Sequence, residues 1–249
     1  MKRTFIKLPV TFLHGFVALF FATTALKIYL QQSLSSYPFY LPATLHPLFS
    51  FVGSLLALRF SDNSRNEIER TILPILYLCF TFLNIPTLTT AMFLNSNYFF
   101  SLHILGTIYV FALIFALVLL LLIGLFHFGI NKGKLVQFIV LSALASLLVA
   151  LTLPLSMATN PFESSLWVGI SFYFMLLVLA LIAAITFITI FLRDRNSYTF
   201  FRVISLLTVS IGSILYVYRP SLVVTYLGLV LFIGGTLLGM PRERLTQLQ

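Results

Sequence analysis

Eight apolar, aromatic-rich runs without an acidic residue follow one another along this 249-residue chain, separated by short segments into which most of its charge is gathered. Thirteen of the fifteen Lys and Arg residues lie in five clusters: Lys2, Arg3 and Lys7; Arg59, Arg65 and Arg70; Lys132 and Lys134; Arg193, Arg195 and Arg202; and Arg242 with Arg244. Lys27 and Arg219 stand apart. The runs extend over residues 8–29, 43–60, 72–94, 103–128, 135–157, 166–192, 201–218 and 221–239. Each approaches or exceeds the roughly 20 residues that a helix needs to cross a hydrocarbon core of about 30 Å.

Only 8% of the residues are charged, too few to coat a water-soluble globule of this length, and the mean hydropathy is +1.06. The expected class is therefore an all-α, polytopic membrane bundle forming one domain over residues 1–249. Helices are expected because lipid offers no partner for backbone amides, and the runs are too continuously apolar for barrel strands. Basic residues at span ends are retained on the cytoplasmic face, so eight spans imply that both termini are cytoplasmic, in a multi-pass protein of the cell membrane.

The net charge of +9 is spaced between apolar runs and forms no continuous stripe, which argues against nucleic acid and for membrane lipids as partners. Met1 to Arg3 followed by an apolar stretch resembles a secretion signal. The length of that stretch and the poor cleavage site at Thr23 and Ala25 favour a retained helix. Lys27, near the outer end of the first run, can reach the headgroups. The outer connections, 31–42, 95–100 and 158–165, are small, and Trp167 suits the membrane boundary. The inner segment 61–70 mixes Asp62, Glu67 and Glu69 with arginines and reads as a solvated connector. The last two runs meet at Tyr218, Arg219, Pro220 and Ser221, a tight hairpin that is compatible with two full spans or a re-entrant pair. No internal repeat is evident. Small residues at Ser142, Ser146 and Ala150, and at Gly235 and Gly239, mark faces for close helix packing, inside the bundle or against a partner subunit.

No Asp or Glu falls within the eight runs, which disfavours ion-coupled transport, aspartyl proteolysis and a di-iron site. No serine has visible histidine and acidic partners, and there is no phosphate-binding glycine loop. The single cysteine, Cys79, excludes an intrachain disulfide.

The four histidines become the candidates for chemistry. His46 and His103 are expected near the outer side at depths matched to within about 5 Å, given a rise of about 1.5 Å per residue. His14 and His127 form a looser inner couple. Two imidazoles at one depth suit axial ligation of haem iron. In this placement the chain resembles membrane cytochromes of the b type, and the resemblance implies one haem b and a quinone partner. It extends to these four positions only. The 24 residues from His103 to His127 would span about 36 Å, too far for two buried haems. The competing reading makes the histidines interfacial or packing residues.

The third run carries Thr81, Asn84, Pro86, Thr87, Thr89 and Thr90. Pro86 removes a helical hydrogen bond, and the resulting kink is expected either to line a quinone or solute slot through Asn84 and Thr87, or to be satisfied by threonine back-bonding. Tyr173, Tyr216 and Tyr218 read as boundary residues. The functional expectation is a membrane subunit of a redox or respiratory assembly, anchoring other subunits and holding one haem or quinone. The alternatives are a carrier or channel for a neutral or lipid-like solute, and a purely structural subunit.

Overall fold

The computed structural model describes residues 4–31, 40–59, 67–94, 101–127, 132–153, 170–194, 197–218 and 221–239. Within them the chain is 96% helical, with no strand. The helices are α1 (Thr4–Gln31), α2 (Tyr40–Arg59), α3 (Glu67–Phe82), α4 (Ile85–Leu94), α5 (Leu102–His127), α6 (Leu135–Thr152), α7 (Ile170–Asp194), α8 (Ser197–Tyr218) and α9 (Leu222–Leu238). Most of the loops at 32–39, 61–66, 95–100 and 158–165, together with Trp167, the Arg219–Pro220 turn and the basic tail, lie outside the described residues.

Among the described residues, five stretches are long and apolar enough to cross a membrane: Pro9–Leu30, Leu41–Leu58, Thr71–Met92, Leu102–Phe126 and Leu135–Thr152. Leu177–Arg193, Phe200–Tyr216 and Leu222–Leu238 are shorter apolar stretches. Such helices suggest a membrane protein, because each closes its own backbone hydrogen bonds and leaves apolar side chains to meet lipid.

The third run folds as two helices. Pro86 has no amide hydrogen to continue the ladder, and the chain tightens first: Leu83 N–H donates to the Phe80 carbonyl and Asn84 N–H to that of Thr81, both at 3.1 Å. Helix resumes as Thr87 N–H donates to the Asn84 carbonyl at 2.9 Å. The expected kink is thus a full break, and it turns the Asn84 side chain into the bundle.

Helix α5 is the core element, packing on α3, α6 and α7, with Val110, Leu119 and Ile123 fully buried. On the other side of α3, α2 packs against α1 and α9. Helix α4 rests on α1 and α5, and α8 joins α9 to α7.

Helix α6 sits at the edge. Ser146 and Ala150 are buried, as the small-residue spacing suggests, and α6 packs chiefly on α5; Val140, Leu144, Leu148 and Leu151 face outward. Three small side chains supply one close contact, too narrow a stripe to enclose a helix on all sides.

The tightest pair is α8 with α9. A methyl group on Gly212 would lie 2.5 Å from the Phe232 backbone nitrogen, one on Gly228 2.7 Å from that of Tyr216, and one on Gly235 2.7 Å from that of Val209. These are backbone-to-backbone contacts that only glycine permits. Ser205 closes the far end by donating to the Gly235 carbonyl at 2.6 Å. At the near end, the Ser221 hydroxyl caps α9 by accepting from Val224 N–H. The close approach holds Tyr216 and Phe232 against α2.

A candidate polar site at the break between α3 and α4

Hydrocarbon offers no partners to a polar side chain, so polar groups carried into a helix bundle must find them in one another. Around the α3–α4 break they do. His14, His46, Ser50, Thr81, Asn84 and Tyr216 have no measurable exposure.

Asn84 is the hub. The Thr81 carbonyl can only accept, so the Asn84 atom 3.0 Å from it is the amide nitrogen Nδ2. That nitrogen also lies 3.1 Å from His46 Nδ1. Its second hydrogen is donated there, which makes Nδ1 the unprotonated nitrogen and places the proton of neutral His46 on Nε2. The Tyr216 hydroxyl donates to Asn84 Oδ1 at 2.5 Å. One amide thereby ties α2, α3 and α8 together with both its donors used.

Ring contacts fix the imidazole. Tyr216 stacks on His46 with centroids 4.1 Å apart and planes within 1°, and the Phe232 centroid lies 4.4 Å away at 36°. Two rings that close cannot share one face without overlapping, so they bracket it.

A second set of contacts lies one turn back along α3. His14 Nε2 pairs with Thr81 Oγ1 at 2.7 Å, and the His14 ring meets the Phe51 edge at 5.5 Å. The Ser50 hydroxyl donates to the Tyr77 carbonyl at 2.5 Å. The Tyr77 hydroxyl donates to Thr236 Oγ1 on α9 at 3.3 Å. Tyr77 reaches across because Gly53 leaves room: a methyl group there would stand 2.6 Å from the tyrosine ring.

The threonines divide. Thr89 and Thr90 return their protons to the Pro86 carbonyl at 2.9 and 2.8 Å, the back-bonding expected around an intramembrane proline. Thr87 does not. Its hydroxyl is fully buried and has no hydrogen-bond partner among the described residues, and the same holds for His14 Nδ1.

The expected histidine pair is separated by environment. His46 on α2 is enclosed by groups from the α3–α4 break, α8 and α9, whereas His103 is exposed at the start of α5. Two axial ligands must face one slot, so these residues do not fit a bis-histidine haem. Matched depth failed as a guide because it says nothing about which helices are neighbours. The side chain of His127 lies outside the described residues, so the inner couple is represented by His14 alone. Among the described residues no three His, Cys, Asp or Glu side chains gather as a metal site.

Of the residues singled out in the sequence, the network holds Asn84, His14 and His46, with Thr87 one turn beyond Asn84, and it adds Tyr216, which is wholly buried. Its signal was Gly212, one helical turn before it, facing Gly228 of the next helix. Comparison with protein-family models, with curated proteins and with solved structures found no match, and the site is therefore read from its own geometry.

Proposed function

We propose that this chain is a multi-pass protein of the cell membrane that takes a neutral, lipid-like solute into its bundle at the α3–α4 break. Eight spans are counted by treating α3 and α4 as one crossing and adding α7, α8 and α9 to the long apolar helices. The basic residues that flank α2–α3, α5–α6 and α7–α8 then fall on one side, with both termini, in the cytoplasm. At about 1.5 Å per residue, the 17 residues of α9 cover about 25 Å, enough for a slightly thinned crossing.

The observation that carries the functional reading is a buried hydrogen-bonding cluster that, among the described residues, holds no carboxylate or ammonium, with His14 Nδ1 within it and Thr87 Oγ1 one turn beyond Asn84 remaining to be satisfied. Such groups suit a carbonyl or hydroxyl of an uncharged amphiphile. Acylglycerols and quinones both present that chemistry. A quinone would connect this reading to a role as a membrane subunit of a redox assembly.

The test is the thermal stability of the detergent-purified protein with a short-chain diacylglycerol or a short-tailed benzoquinone added. A ligand that binds only the folded state raises the transition by mass action. The expected result is a saturable rise with one probe that is lost in Thr87→Val. No shift with either probe at concentrations up to their solubility overturns the reading.

A further inference from the structure

We propose that His46 is a proton-operated latch on the α3–α4 break, a form of regulation that rests on the solute site proposed above. The latch lies in the direction of three hydrogen bonds. Asn84 Nδ2 donates simultaneously to His46 Nδ1 and to the Thr81 carbonyl, and Oδ1 accepts from Tyr216.

When His46 Nδ1 takes a proton from the aqueous phase, the imidazolium becomes a donor at both nitrogens. An N–H then faces the Asn84 NH2 group at a separation of 3.1 Å. Turning the amide over brings Oδ1 to His46 but sets it against the Thr81 carbonyl oxygen, where 3.0 Å now separates donor from acceptor. Neither orientation satisfies all partners. The Thr81 carbonyl is also the acceptor for Asn84 N–H in the tight turn that makes the break. Relief therefore requires that turn to move, and with it α4 and Thr87.

The described contacts of His46 are with neutral groups. From α8 it meets the Tyr216 phenol, from α9 Phe232 and from the α3–α4 break Asn84; the other buried imidazole, His14 on α1, bonds to Thr81. No carboxylate lies in the Pro9–Leu30, Leu41–Leu58 or Thr71–Met92 stretches or in Phe200–Tyr216 and Leu222–Leu238. A charge raised among neutral, buried groups favours the rearranged state.

Thr87→Cys in a Cys79→Ala background reports the movement, since the Thr87 hydroxyl gives up no hydrogen bond to the described residues on replacement. Labelling by N-ethylmaleimide is followed from pH 8 to pH 5 without added solute, as the ratio of the rate with His46 intact to the rate with His46→Gln. That ratio cancels the ionisation of the thiol. The glutamine side chain keeps an acceptor toward Asn84 and stays neutral, so the expected ratio is near unity at pH 8 and rises about tenfold by pH 5. A second variant, Asn84→Asp, lacks the side-chain amide donor to the Thr81 carbonyl and is expected to label fast at both pH values. A flat ratio, or slow labelling in Asn84→Asp, overturns the latch. Because no solute is present, either result leaves the binding test standing or falling separately.

Discussion

Tyr216 lies flat on His46, 170 residues earlier in the chain, while its hydroxyl donates to Asn84, so one side chain supplies both a face and a proton to the same interior cluster. The two contributions are separable. Tyr216→Phe keeps the stack and loses one hydrogen bond, a loss of about 0.6–1.7 kcal/mol for a bond between membrane helices. Asn84→Ala removes the side-chain hydrogen bonds to His46, Tyr216 and the Thr81 carbonyl together, and is expected to cost about 2–4 kcal/mol. Reversible unfolding in mixed micelles measures both, with Asn84→Ala the more damaging.

The α8–α9 contact makes its glycines unequal. Gly212→Ala and Gly228→Ala place a methyl group within 2.8 Å of backbone atoms that cannot swing away. Each is expected to lose about 1–3 kcal/mol through forced separation of the helices. A methyl group on Gly234 would meet nothing within 4 Å, so Gly234→Ala is expected to be neutral or to gain up to about 1 kcal/mol from helix propensity. Thermal unfolding of the three variants checks the order.

Thr81 and Thr87 are chemically identical and six residues apart, yet their partners differ. Thr81→Val strands His14 Nε2 and is expected to destabilise by about 1–3 kcal/mol. Thr87→Val removes a buried hydroxyl with no partner among the described residues and is expected to stabilise the solute-free protein slightly, by about 1 kcal/mol. Melting curves with and without solute distinguish a packing role from a binding one: loss of the solute-induced shift in Thr87→Val alone identifies binding.

Topology has its own test. With Cys79 replaced, cysteines introduced at Ser64 and Gly133 are expected to react with an impermeant maleimide from the same, cytoplasmic side of sealed vesicles. Cysteine at Asn97 is expected to react from the other. Labelling of Ser64→Cys and Gly133→Cys from opposite sides overturns the eight-span orientation.

These expectations show which parts of the molecule can be read from its sequence. Apolar length located the helices, and Pro86 located the break, because hydropathy and a missing amide hydrogen are local properties. Asn84 was legible as a residue in need of partners. Their identity was not, since His46 and Tyr216 lie 38 and 132 residues away, and depth in a bilayer does not determine which helices touch. The pairing of His46 with His103 failed for that reason. The Gly235 face was correctly read as a packing surface, but its partner is the adjacent helix, which Gly212 and Gly228 together would have indicated.

The glycine seam between α8 and α9 also bears on how the chain is assembled. Two apolar segments adjacent in the chain and fitted backbone to backbone can enter a bilayer as a pair, already sharing their closest contacts. The rings they carry then meet an earlier-made surface of α2 and α3, so the union of Tyr216 with Asn84 becomes a late event in biogenesis, and any lesion that delays the pair leaves the amino-terminal half inserted with its asparagine still waiting for a partner.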